Sequence, residues 1–106
     1  MARGEFHLLI DDMRSLEGMD MTSRTGEVGM SLMQQGVVTH LYMDNDLGED
    51  VPREGIDIMK WARDNGHMPS NVTIVSANPV CRGRMEDILK LDLGYIKDGQ
   101  WWRKPL

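Results

Sequence analysis

Residues 41–50 read LYMDNDLGED, an apolar stretch that stops at Asp44 and is followed by further acids. With the β-branched residues before it, the segment 37–43 is typical of a buried strand. Carboxylates that are buried without partners are unfavourable, and neighbouring carboxylates repel one another. The acids after this strand therefore either lie in solvent as a loop or surround a cation.

Short apolar runs elsewhere predict strands, and periodic runs predict helices. The predicted strands are 6–10, 37–43, 72–75 and 94–96, with shorter ones near 20–22 and 101–102. The predicted helices are 25–35, 54–65 and 80–90, with Thr25 as a cap and Gly36 and Gly66 as stops. Strands that alternate with such helices predict right-handed crossovers and a mostly parallel sheet of about five strands.

Composition limits the class of protein. The 106 residues predict a single domain over 1–106, and the net charge of −5 argues against extended duplex nucleic-acid binding. Cys81 is the only cysteine, so no intramolecular disulfide forms and a cytoplasmic location is expected. No apolar run approaches the roughly 18 residues of a membrane span, so no membrane association is expected.

Polar residues follow four of the predicted strands. They are Asp11-Asp12, Asp44-Asn45-Asp46, Ser76-Ala77-Asn78 and Lys97. In open parallel sheets the ligand crevice lies beyond the carboxyl ends of the strands. We therefore expect these four segments to form one pocket.

Such a pocket would suit Mg²⁺ and a phosphoryl group, because Mg²⁺ prefers oxygen ligands and shares phosphate oxygens. Asp11, Asp12 and Asp44 are the predicted metal ligands, and at least one of them should titrate high through like-charge repulsion. Asp44 and Asp46 are also candidates for orienting a water molecule. Lys97 and Ser76 are predicted to contact phosphate oxygens.

The predicted helix after Pro79 offers a further anion site at its amino end. Arg82 and Arg84 lie in its first turns and are predicted to reach a second phosphate or a ribose.

The order of LLIDD (8–12), LYMD (41–44), VSA (75–77) and GYIK (94–97) resembles the receiver domain of bacterial response regulators. The resemblance implies that the paired acids after the first strand bind Mg²⁺ and that Asp44 is a phosphoacceptor. It also implies that Ser76 and Lys97 complete the site.

A divergent branch, the cyclic-phosphate processing receiver-like domains, resembles the chain more closely. The matching motifs are DDMR at 11–14, DNDLG at 44–48 and SANPVCRGRM at 76–85. The resemblance implies a receiver-like (flavodoxin-like) three-layer sandwich that binds a nucleotide or cyclic phosphate, with Arg14 and Asn78 at the ligand.

The chain departs from this branch at two positions, where Asn45 and Val75 stand in place of histidines. It also lacks a predicted helix between residues 12 and 22, where ordinary receivers have one. Three functions therefore stay open: a Mg²⁺-dependent phosphoesterase, a binding module that sequesters a nucleotide or modulates a protein partner, and a phosphoacceptor domain using Asp44.

Overall fold

A computed structural model describes residues 4–48 and 54–106, so the predicted loop over 44–53 lies partly outside the described residues. The strands are β1 His7–Ile10, β2 Met21–Ser23, β3 His40–Met43, β4 Asn71–Ile74, β5 Ile96–Asp98 and β6 Trp101–Arg103. The helices are α1 Gly26–Gln34, α2 Gly55–Asn65 and α3 Pro79–Asp87, and a π-helical turn, Ile88–Asp92, follows α3.

The strands form one sheet in the order β2-β1-β3-β4-β6-β5. β2, β1, β3 and β4 are parallel, whereas β6 is antiparallel to both of its neighbours. The predicted receiver-like α/β fold with a mostly parallel sheet is therefore confirmed. The sheet has six strands rather than about five, because the chain reverses at Gly99 (φ 63°) and Trp101-Trp102 forms the predicted terminal strand.

One face of the sheet packs against the three helices. Leu8, Ile10, Leu41 and Met43 from the parallel strands share a single apolar core with buried residues of α1, α2 and α3. α2 contacts both α1 and α3. Each connection through one of these helices leads to a strand further along the sheet in the same direction. Because such connections are right-handed, all three helices lie on the same face of the sheet.

The second helical layer of a three-layer sandwich is not present among the described residues. Among the connections between parallel strands, only that from β1 to β2 runs in the opposite direction, so a right-handed helix there would cover the other face. Residues 11–20 instead form turns and irregular structure, as predicted. The opposite face, which we call the helix-free face, carries His7, His40, Tyr42 and Trp101 in ring contact with one another.

Of two residues predicted to end helices, one acts as predicted and the other does not. Gly66 ends α2 in the left-handed conformation (φ 72°), as predicted. Thr25 occupies the N-cap position of α1, but its side chain makes no capping hydrogen bond and is exposed, so that detail was wrong. Among the described residues, no helix is long and apolar enough to cross a membrane.

Candidate functional site

An open cleft of about 750 Å³ lies at the carboxyl ends of β1, β3 and β4. Its volume falls within the range of about 300–1,000 Å³ that is common for small-molecule sites. Seven of the ten predicted site residues line it: Asp11, Asp12, Arg14, Asp44, Asp46, Ser76 and Asn78. The cleft is therefore the place where most of the predicted site comes together.

Three carboxylates converge at the floor of the cleft. Asp11, Asp12 and Asp44 each offer an oxygen that lies within 4.8 Å of those of the other two. Asp11 follows β1 and Asp44 follows β3, and these parallel neighbours end in register. The ladder continues one step further, since the Asp44 N–H donates to the Ile10 carbonyl at 3.1 Å. Parallel pairing thus brings the acids of two distant segments together.

One carboxylate oxygen of Asp11 accepts hydrogen bonds from the backbone, and the other accepts none from the described residues. Oδ1 accepts hydrogen bonds from the N–H groups of Met13 (3.0 Å) and Arg14 (2.8 Å). Oδ2 is buried and accepts no hydrogen bond from the described residues, although the Arg14 guanidinium lies 3.5 Å away. A buried carboxylate oxygen normally has a hydrogen-bond partner. Oδ2 is thus available to a ligand in the cleft.

Burial, and after it the charge of Asp11, raises the pKa of Asp44 above its ordinary value. A high-titrating acid among the three carboxylates was expected, and the direction is confirmed. The main cause is desolvation rather than the like-charge repulsion on which the expectation rested. A cation among the carboxylates would relieve both effects.

Two arginines hold the loop that replaces the missing helix. The Arg14 guanidinium donates to the Val75 carbonyl and pairs with Asp11. Arg24 donates from Nη1 to the carbonyls of Asp11 (3.2 Å) and Arg14 (2.6 Å), and from Nη2 to the Ser15 hydroxyl (2.8 Å). Sequence reasoning missed Arg24, because an arginine after a three-residue strand carries no pattern of its own.

Asn45 connects the cleft to the start of α2. Its side chain is buried, and its Oδ1 accepts a hydrogen bond from the Ile56 N–H at 3.1 Å, while its carbonyl accepts one from the Gly55 N–H at 2.8 Å. A Cβ at Gly55 would lie 2.0 Å from the Asp44 carbonyl oxygen. Asn45 and Gly55 therefore fix Asp44 against the helix, a role that the sequence comparison did not suggest.

Ser76 and Asn78 shape the wall after β4. The Ser76 hydroxyl accepts a hydrogen bond from the Asn78 N–H at 3.2 Å. Asn78 Oδ1 accepts from the N–H groups of Val80 (3.0 Å) and Cys81 (3.2 Å), so Asn78 is the N-cap of α3. At this helix end, where the sequence predicts an anion site, Asn78 itself satisfies two of the N–H donors.

Lys97, Arg82 and Arg84 do not line the cleft. Lys97 lies on edge strand β5, where its Nζ is 3.4 Å from a Glu86 oxygen and 5.1 Å from the centre of a Trp102 ring. The reason is the β5–β6 hairpin: β6 takes the place beside β4 and pushes β5 one strand outward. Arg82 pairs with Glu86 along α3 at 3.7 Å, and Arg84 is exposed on the same helix.

The fold and the acidic cleft define a receiver-like α/β domain. A family model described as the cyclic-phosphate processing receiver domain matches residues 6–91, and the chain belongs to this family. The matched residues end before β5, so the hairpin that displaces Lys97 lies beyond them. Neither a curated protein nor a solved structure matches the chain.

Proposed function

We propose that the chain binds a small phosphate-containing ligand of the cyclic-phosphate or nucleotide class in the cleft, together with Mg²⁺. The observation that carries this proposal is the convergence of Asp11, Asp12 and Asp44 around a buried carboxylate oxygen that lacks a hydrogen bond from the described residues. Membership in a cyclic-phosphate processing family supports the class of ligand.

The donor set fits a hard divalent cation. All three side chains offer oxygen, and Mg²⁺ commonly uses one or two carboxylates, water and a phosphate oxygen. Asp11 Oδ2, Asp12 and Asp44 would hold the ion, and Arg14 and the loop backbone keep Asp11 in place. When bound, the ion would supply positive charge for a phosphoryl oxygen.

Residues beyond the acids give the ligand its remaining contacts. Ser76 lines the cleft, and its hydroxyl would donate to a phosphate oxygen while it accepts from the Asn78 N–H. Met13 lines the same cleft with 84% of its surface exposed, an apolar area that a nucleobase would cover. Arg14 lines the cleft with its guanidinium 3.5 Å from Asp11 Oδ2, and it would share that group between Asp11 and the ligand.

Calorimetric titration tests the binding proposal. A 2′,3′-cyclic mononucleotide should bind in Mg²⁺ and lose at least about tenfold in affinity in EDTA, because the ion carries the phosphate contact. Ser76→Ala should weaken binding several-fold through the loss of one hydrogen bond, about 0.5–1.5 kcal/mol. Lys97→Gln is the matched control and should bind like the wild type, since Lys97 lies outside the cleft. Metal-independent binding, or a loss in Lys97→Gln alone, would contradict the proposal.

Hydrolysis of the bound ester is a second candidate, favoured by the position of Asp46. This acid lines the cleft, lies outside the three-carboxylate cluster and is exposed, so it can orient a water molecule. Release of phosphomonoester should then fall in Asp46→Asn while Mg²⁺ still binds. Binding without turnover would instead favour a sequestering module, and a mass gain of one phosphoryl group on Asp44 would favour a phosphoacceptor.

A further inference from the structure

A second group of ligand-type side chains lies on the helix-free face, at the ends of the strands remote from the cleft. His7 begins β1 and His40 begins β3, and the two are opposite each other in the parallel register. Their imidazole rings stack with centroids 4.3 Å apart and planes 8° apart. Glu5 precedes β1 and completes a set whose ligand atoms all lie within 4.8 Å of one another.

The nitrogens of the two rings have distinct partners. The Nε2 atoms face the same carboxylate: His7 Nε2 is 2.9 Å from Glu5 Oε1, and His40 Nε2 is 3.9 Å from Glu5 Oε2. The Nδ1 atoms are each 2.9 Å from a hydroxyl, that of Tyr42 for His7 and that of Thr39 for His40. Oxygen partners on the far nitrogen orient the imidazoles of metal sites in this way.

An aromatic ring packs against both imidazoles. Trp101 on β6 packs edge-on against both imidazoles, with ring centroids 6.5 Å from His7 and 5.0 Å from His40. The His40 side chain is 11% exposed and that of His7 is 21% exposed, whereas Glu5 is 67% exposed. Two oriented nitrogens therefore meet a carboxylate that solvent and ions can reach.

We propose that Glu5, His7 and His40 form a binding site for a divalent transition-metal ion of the Zn²⁺ type, separate from the acidic cleft. Two imidazole nitrogens and one carboxylate are a ligand set that Zn²⁺ accepts, with water in the fourth position. Zn²⁺ bonds of about 2.0–2.1 Å place ligand atoms about 3.3 Å apart, with the ion near the plane of each imidazole. The two stacked rings must therefore tilt toward each other, and Glu5 must shift, for the set to close around the ion. The all-oxygen cleft, by contrast, suits Mg²⁺.

The ion would join the segment before β1 to two central strands. Among the described residues no helix covers this face, and a cross-link between Glu5, β1 and β3 would stabilise it. An open fourth position also leaves the ion accessible to water or an anion.

Imidazole ¹⁵N NMR of the full chain, made without a histidine tag, tests this proposal directly. With one equivalent of ZnCl₂, the Nε2 signals of His7 and His40 should shift as coordinated nitrogens, with both rings in the Nδ1–H form. His67, the third histidine, packs against Trp61 elsewhere and should not shift. No change at His7 and His40 would overturn the proposal.

Zinc calorimetry on single variants assigns the ion to its site. His40→Gln and Glu5→Gln should each weaken Zn²⁺ binding at least tenfold, since loss of a partner outside the ligand set already costs roughly 10–100-fold. Glu5 is exposed, so its variant should fold normally even if His40→Gln does not. His67→Gln should bind Zn²⁺ like the wild type, and an excess of Mg²⁺, added to fill the acidic cleft, should leave Zn²⁺ binding at Glu5, His7 and His40 unchanged. Competition by Mg²⁺ without a loss of Zn²⁺ binding in Glu5→Gln would place the ion in the cleft and refute the proposal.

Discussion

Replacement of Asp44 by asparagine should stabilise the metal-free protein and remove its stabilisation by Mg²⁺. Burial and the neighbouring Asp11 raise the pKa of Asp44, so the ionised carboxylate is unfavourable in the folded protein at pH 7. Asparagine keeps the shape and removes the charge. We expect a gain of about 0.5–2 kcal/mol in EDTA, a size common for stabilising changes at functional sites.

The pH dependence follows from the direction of the shift. A carboxyl whose folded pKa is raised contributes stability that is fully present below its unfolded pKa, near 3.8, and is lost as the pH rises through the folded pKa. Wild type and Asp44→Asn should therefore be similar at acidic pH. The advantage of the variant should grow as the pH rises through that window and then stay constant.

Thermal unfolding in EDTA and in Mg²⁺ measures both effects. About 1 kcal/mol corresponds to a Tm increase of roughly 4–8 °C in a domain of this size. Wild type should gain about 2.7 kcal/mol when Mg²⁺ is at a hundred times its Kd, and Asp44→Asn should gain almost nothing. Asp87→Asn, an exposed change on α3, is the matched control and should follow the wild type. An Asp44→Asn protein that is less stable than the wild type in EDTA would show that the Asp44 charge does not destabilise the metal-free protein.

Replacement of Gly55 by alanine should strongly destabilise the protein. A Cβ at this position would lie 2.0 Å from the Asp44 carbonyl oxygen and 2.8 Å from the Asn45 Cα, and backbone atoms cannot move aside as a side-chain end can. The first turn of α2 would have to shift, and its hydrogen bonds to Asn45 would be lost or stretched. We expect a loss of about 3 kcal/mol, at the upper end of typical overpacking effects.

Gly83→Ala is the control for the alanine change itself. Gly83 lies within α3, and a Cβ there meets nothing within 4 Å, so alanine should stabilise the helix by about 0.5–1 kcal/mol. Urea unfolding of both variants gives the comparison. A Gly55→Ala protein as stable as the wild type would contradict the close approach between α2 and Asp44.

Local sequence patterns predicted much of the fold. The apolar runs ended close to the observed strands, and the periodicity of 54–65 with Gly66 as its stop matched α2. The order of elements then implied which strand ends meet. Asp11 and Asp44 are far apart in the chain, but parallel neighbours share their carboxyl ends, so their convergence followed from topology alone.

The parts of the fold that the sequence did not predict depend on pairing between distant segments. Nothing in the residues around Lys97 indicates that β6 pairs with β4 and that β5 lies beyond it. That choice depends on contacts such as Trp102 opposite Val72, which link distant segments. The stacking of His7 on His40 likewise requires the register of β1 against β3, and each histidine alone is unremarkable as a strand residue.

Titration of ¹⁵N-labelled protein with Mn²⁺ in place of Mg²⁺ tests the central claim most directly, because the paramagnetic ion broadens the amide signals that surround it. Sub-stoichiometric Mn²⁺ should broaden Asp11 to Arg14, Asp44 to Asp46 and the residues near Ser76, and excess Mg²⁺ should restore them. Broadening centred elsewhere, or none at all, would contradict a divalent-cation site formed by Asp11, Asp12 and Asp44.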